Sequence, residues 1–319
     1  MGMALRSLPQ SFRVLAWGLA LLLGGVVWAP AAGRAAPVTV SHARGELVLP
    51  QMPKRVVVFD VASLDTLDAL SVDVAGVPGT NMPAFLAKYQ DARYAKVGTL
   101  FEPDYEAVAA LEPDLIIIGG RSAPKYDALA KIAPTIDLTI DPKSFLASAE
   151  AHVDTLGRIF GKEEEAKALD ARLEAAKARV RAVAPDLGRV LMVMVNGGKL
   201  SSYGAGSRYG WIFDELGLKP VAEGKAADTH GDVISFEYIL KTNPQWVLVL
   251  DRDVAIGRAA AAAQKVLDND IVAATQAAKA GHIVYLDAPR WYIANGGGRA
   301  LAITIEDLAT AFEAAPKAR

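Results

Sequence analysis

The strongest constraint on this chain is a repeat. Asp104-Tyr-Glu-Ala-Val-Ala-Ala-Leu-Glu-Pro-Asp-Leu-Ile-Ile-Ile-Gly-Gly-Arg121 can be laid without a gap on Ser235-Phe-Glu-Tyr-Ile-Leu-Lys-Thr-Asn-Pro-Gln-Trp-Val-Leu-Val-Leu-Asp-Arg252, at a constant offset of 131. A capping residue, an acid, a helix, a proline, an apolar strand and an arginine recur in the same order, and cap plus acid is a helix start signal. Such a unit can recur by chance in any α/β protein. Two similar lobes facing each other explain it better.

The other apolar runs agree. Val56-Val57-Val58-Phe59, Leu115 to Ile118, Val190 to Val195, Trp246 to Leu250 and Ile283 to Leu286 are too continuously apolar for strands with one wet face. They read as buried, mostly parallel strands between helices, hence as an α/β fold. From Ser144 to Val183 the pattern is helical, interrupted at Gly157 and Gly161. Its second piece, Lys162 to Val183, puts Leu169, Leu173, Ala176, Val180 and Val183 on one stripe, with acids early and bases late as the helix dipole favours. About 22 residues at 1.5 Å each span about 33 Å. Such a helix can pack on one lobe or serve as a rigid strut between two. Pro185 and Gly188 end it, and the lobe division falls there. The expected organisation is an N-terminal α/β lobe over 37–143, helices including the strut (about 162–184) over 144–184, and a C-terminal α/β lobe over 185–315.

The beginning of the chain reads differently. Met1 to Arg13 carries two arginines and no acid, Val14 to Ala29 is almost wholly apolar, and Ala29-Pro30-Ala31 offers a small-x-small cleavage box. This is the pattern of a secretory signal peptide over 1–31, its apolar run short for a membrane span. Removing it takes Arg6 and Arg13 away and moves the formal charge from −2 to −4. The chain contains no cysteine, which excludes a disulfide scaffold, a thiolate metal site and lipid attachment at an N-terminal cysteine. The expectation is a mature protein free in an oxidising periplasm and not a lipoprotein. With 34 Lys+Arg against 36 Asp+Glu there is no broad basic field, so no nucleic-acid partner is expected.

Further motifs stand out: Lys54-Arg-Val-Val-Val, Leu156-Gly-Arg-Ile-Phe-Gly-Lys before the long helix, Gly204-Ala-Gly-Ser-Arg208-Tyr-Gly, Asp228-Thr-His230-Gly, and Trp291-Tyr292 followed by Gly296-Gly297. Together with the two repeat units they make the chain, over about Val38 to Phe312, resemble the periplasmic binding proteins for iron–siderophore and cobalamin uptake, and among these the binders of ferric catecholate siderophores. The resemblance implies two Rossmann-like α/β lobes joined by a single long rigid helix, with a ligand cleft between the lobes. It also implies a monomer that captures a ferric siderophore and delivers it to an inner-membrane ABC permease dimer. No permanent cofactor is implied, Fe(III) being part of the ligand, and no enzyme activity.

Charge arithmetic supports particular residues. A ferric bis-catecholate carries a formal charge of about −1 and a tris-catecholate about −3, so the pocket needs cationic donors. Arg121 and Arg252 follow the ends of buried strands, where open α/β sheets place ligand crevices, and Arg208 sits in a Gly-Ser turn. Each could instead be a surface residue or pair with a structural carboxylate, as Arg252 with Asp251 or Asp253. A tetradentate siderophore leaves two iron positions open, and a phenolate and an imidazole suit a ferric ion. The resemblance assigns these to Tyr292 and His230; the plain alternatives are cleft-wall packing and an ordinary loop histidine. His42, His152 and His282 are given no ligand role. Glu106 and Glu237 sit in matching first helical turns, where the helix dipole alone can account for an acid. The resemblance implies that these two dock on arginines of the permease.

Other classes fit less well. An α/β hydrolase needs a Gly-x-Ser-x-Gly elbow that Gly204-Ala-Gly-Ser-Arg208 does not complete. Gly296 to Arg299 lacks the Gly-Lys-Ser/Thr of a phosphate loop. Haem or cobalamin are the nearest alternative ligands, since Tyr and His also hold haem iron. Three arginines favour a compact anionic chelate.

Overall fold

The computed structural model describes residues 37–221, 231–258 and 262–315. The expected signal peptide over 1–31 and His230 lie outside the described residues. The chain begins with an antiparallel hairpin, β1 (Val38–His42) and β2 (Gly45–Leu49), whose Val40 and Leu49 are buried in the first core. Next come β3 (Val56–Val58), β4 (Gly76–Val77), β5 (Ala95–Lys96), β6 (Leu115–Ile118) and β7 (Thr135–Asp137). They form one parallel sheet in the order β5-β4-β3-β6-β7. Every residue of β3 and β6 is buried, as a sheet covered by helices on both faces requires.

The second sheet contains β8 (Arg189–Asn196), β9 (Lys199–Tyr203), β10 (Lys219–Pro220), β11 (Asp232–Ile234), β12 (Trp246–Asp251) and β13 (Ile283–Tyr285). Its order is β11-β9-β8-β12-β13, with β10 paired to the start of β8. β8, β12 and β13 are parallel to one another, β9 is antiparallel to β8, and β11 is antiparallel to β9. Four of the continuously apolar runs are thus interior strands of two separate sheets; the fifth, Ile283 to Leu286, forms the edge strand β13, which is half-buried with Tyr285 exposed rather than buried as expected. The half-polar Lys-Leu-Ser-Ser-Tyr of β9 carries no such signature, and the sequence reading passes over it.

Both repeat units fold alike. Asp104 accepts from the Ala107 amide at 3.0 Å and opens the helix Tyr105–Ala110; Ser235 accepts from the Tyr238 amide at 3.3 Å and opens the helix Phe236–Thr242. Each helix leads through its proline into a central strand, β6 or β12, and then to its arginine.

Three helices run between the two cores. Phe145–Phe160 contributes Phe145, Leu146 and Ala149 to the core of the second sheet, and Val153, Leu156, Ile159 and Phe160 to that of the first. Its chain turns at Gly161 into Glu163–Val183, the expected strut, which begins with three glutamates. That helix places Ala166 in the first core and Leu173, Ala176 and Val180 in the second. Leu169 and Val183 of the predicted stripe are only half-buried. The strut does not run alone: the C-terminal helix Gly298–Glu313 packs along it, tied by Arg172 to Glu306 at 2.6 Å and by Arg179 to Glu313 at 2.7 Å.

The start of this C-terminal helix is fastened to the first lobe. Asp65, fully buried in the helix Val61–Ala69, accepts from the Ala300 amide at 2.7 Å and from Arg299 at 2.9 and 3.1 Å. Thr66 Oγ1 accepts from the Gly298 amide at 2.9 Å, and Asp68 pairs with Arg299 at 2.8 Å. These side chains satisfy amides that a helix N-terminus leaves free. The approach is close enough that a Cβ on Gly297 would come within 2.8 Å of the Ala62 carbonyl and the Asp65 carboxylate.

Candidate ligand-binding cleft

Segments that follow the carboxyl ends of β3, β6, β7 and β13 line a cavity of about 950 Å³ together with the 206–208 turn, the crevice position of open α/β sheets. Arg121 enters it from the Gly119-Gly120 turn after β6, where Gly120 adopts φ +44°. Arg208 enters from a turn closed by Ser207 Oγ, which donates to the Gly204 carbonyl at 2.6 Å, and by the Gly206 amide, which donates to Asp214 at 2.8 Å. Tyr292 ends the helix Ala288–Tyr292, whose cap Asp287 accepts from the Arg290 amide. Its neighbour Trp291 is buried and stacks on Trp211, with ring centroids 5.4 Å apart. Trp291 thus fixes the helix in the core while Tyr292 faces the cavity.

The three predicted arginines converge on this tyrosine. Arg121 and Arg208 donate to the Tyr292 carbonyl oxygen at 2.8 and 3.2 Å, and Arg252 Nε donates to its phenol oxygen at 2.9 Å. All three guanidiniums lie over the ring, at 5.4, 4.5 and 5.5 Å from its centroid. Arg252 is not part of the cavity lining; it holds the phenol and Asn196 Oδ1. Among the described residues none of the three pairs with a carboxylate. The carboxylates beside Arg252 are engaged elsewhere: Asp251 accepts from the Val254 and Ala263 amides, and buried Asp253 accepts from the Gly197 amide.

Burial opposes ionisation of the Tyr292 phenol. The Arg252 hydrogen bond and the charges of Arg208, Arg252 and Arg121 outweigh it and hold the phenol below its ordinary range. Burial and the neighbouring Arg208 likewise lower Arg121. The arrangement gathers three guanidiniums, none ion-paired among the described residues, around Tyr292, and such a cationic pole suits an anionic ligand carrying a hard metal ion.

The cavity also contains residues that sequence reasoning did not select. Asp60, Ser63, Thr139, Lys143, Asn295 and His152 line it. Asp60 directly follows the β3 run, the same end-of-strand signal that singles out Arg121 and Arg252; the search for cations passed over it. His152, given no role from its place within a helix, is on the cleft wall. His42 accepts from the Asp137 amide at 3.3 Å, and His282 stacks on Trp246 at 4.0 Å, away from the cleft. Glu106 and Glu237 are both exposed in the first turns of the repeat helices, outside the cavity lining. The Ser235 hydroxyl holds Glu237 below the usual carboxylate range.

A family profile described as "Periplasmic binding protein" matches residues 56–289. The petrobactin-binding protein YclQ of Bacillus subtilis is 42% identical over 281 residues, 86% of this chain and 88% of that protein. Its crystal structure superposes with a TM-score of 0.82, covering 87% of this chain and 99% of that one. The ferric-anguibactin-binding protein FatB of Vibrio anguillarum is 33% identical, covering 87% of this chain and 88% of its own. The periplasmic catecholate-siderophore binding protein VctP of Vibrio cholerae is 35% identical, with a TM-score of 0.79 over 88% of this chain and 100% of its own.

Proposed function

The chain belongs to the periplasmic binding protein family, and from that premise we propose that it captures a ferric siderophore of the catecholate type and hands it to an inner-membrane ABC permease. The observation that carries this reading is the convergence of Arg121, Arg208 and Arg252 on Tyr292. A chelate of net negative charge would displace the arginines' contacts to the Tyr292 carbonyl and take up their free N–H groups. The Tyr292 phenolate and His230 fill the two iron positions that a tetradentate chelate leaves open. The petrobactin, anguibactin and catecholate binders among its relatives lend support to the ligand class.

In this reading the protein is a monomer, exported by the signal peptide over 1–31 as a soluble protein of the periplasm. Its lobes comprise 37–143 and 185–315, with the helices of 144–184 between them. Glu106 and Glu237, one on each lobe, dock on cationic side chains of the permease dimer.

The test is a tryptophan-fluorescence titration of the purified protein against ferric tetradentate and hexadentate catecholates and haem. The expected result is quenching by the ferric catecholates and, in a parallel absorbance titration, no shift of haem's own Soret band. The double variant His230→Ala, Tyr292→Phe should lose affinity for the tetradentate chelate by more than about tenfold while the hexadentate one changes little, a gap of about 1.4 kcal/mol or more. Equal losses for both chelates would refute direct coordination.

A further inference from the structure

We propose that His152 contacts the organic segment joining the metal-binding groups of the chelate, and thereby sets which siderophore the cleft prefers. The inference rests on the ferric-siderophore reading above. His152 and Leu156 stand one turn apart on the helix Phe145–Phe160, and both line the cavity beside Ile140 and Phe145. Leu156, Ile140 and Phe145 give this stretch of wall apolar surface around the imidazole. Among the described residues no hydrogen bond or ion pair engages that ring.

The charges acting on His152 are those of Asp60 and Asp137, which favour its protonation; burial outweighs them and lowers its pKa. At neutral pH the ring therefore presents one N–H donor and one acceptor. The arginines gather instead at Tyr292, where they contact its carbonyl and phenol oxygens. The cavity thus offers a cationic pole that suits the charged ferric centre and, on the helix Phe145–Phe160, an unengaged imidazole beside apolar side chains that suits a carbon linker bearing an amide or hydroxyl. Catecholate siderophores share their metal-binding groups and differ in their linkers, so a residue that reads the linker discriminates among them.

The experiment compares two ferric chelates of equal charge: a bis-catecholamide joined by an alkyl diamide spacer, and iron with two equivalents of free catechol. Wild-type protein, His152→Phe and His152→Gln are titrated by tryptophan fluorescence, with circular dichroism to verify folding. His152→Phe removes both hydrogen-bonding atoms and should weaken the linked chelate by roughly three- to tenfold, the range of one hydrogen bond. His152→Gln keeps a donor and an acceptor and should stay within about twofold of wild type, well inside that range. The linker-free chelate should bind all three proteins alike. Equal weakening of both chelates would place His152 at the metal-binding pole or in the fold, and an unchanged linked chelate would remove it from the site; either overturns the proposal. Failure of wild-type protein to bind either chelate would overturn the siderophore reading and this inference with it.

Discussion

The two repeat units deliver the same residue by different means. After β6 the chain passes through Gly119 and Gly120, and Arg121 reaches from the first sheet to the backbone carbonyl of Tyr292. After β12 the chain enters a short helix capped by Asp251, and Arg252 holds the phenol oxygen of the same residue. A duplicated helix–proline–strand unit fixes where an arginine emerges. The two or three residues at the strand's end decide what it can touch. One arm therefore links the two sheets, whereas the other tunes an acid within the second.

The largest expected effect concerns the fastening between the halves. Arg299→Ala leaves Asp65 buried without its cation, which should destabilise the protein by about 3–5 kcal/mol in denaturant unfolding. A loss below about 1 kcal/mol, the scale of an exposed ion pair, would mean that the backbone amides of Gly298 and Ala300 carry the fastening without the arginine.

The next comparison sets one arm against the other. Arg121→Ala and Arg252→Ala should each cost about 1.5–3 kcal/mol of ferric-chelate affinity, the scale of a hydrogen bond to a charged group. An unchanged dissociation constant for either would place that arginine beyond the reach of the ligand.

A pH titration sharpens the distinction. Arg252→Ala removes both a hydrogen bond and a charge from the Tyr292 phenol, so the phenolate should appear at higher pH than in wild type. Arg121→Ala removes only a charge and should move it less. Ultraviolet difference spectra across the phenol transition measure both, and a larger shift in Arg121→Ala would reverse the assignment of roles.

The smallest effect on affinity is expected at the paired acids. Reversing Glu106 and Glu237 to Lys should change chelate affinity by no more than a few tenths of a kcal/mol, because exposed charges beyond about 10 Å are largely screened. Radio-iron uptake by cells carrying the variant should fall sharply. Normal uptake would leave the helix dipole as the whole reason for these acids, and lost affinity would tie them to the cleft.

The central architecture was legible because strands buried on both faces must be written in apolar residues. β3, β6, β8 and β12 announce themselves in this way, whereas β13 reads the same in sequence but is a half-buried edge strand. The arginines and Tyr292 were legible from strand ends and from the family pattern. His152 was not: within a helix, only the packing of neighbouring elements determines which face meets a cavity. Nor was the role of Gly297 to Arg299, because its partners Asp65, Thr66 and Asp68 lie more than 200 positions earlier and read as ordinary polar residues of an N-terminal helix.

That fastening also orders events as the chain is made. The Ala300 amide meets Asp65 across 235 residues, so one of the most distant pairings in the molecule joins the part synthesised first to a part synthesised near the end. Closing so long a loop is entropically slow, and the reward comes only once it is closed. Until the last helix packs, the Asp65 carboxylate lacks the amide and the guanidinium that hold it in the folded protein. A chain ending before Gly297 would lack all of these partners, so the first lobe is expected to close fully only once the C-terminal helix has packed against it.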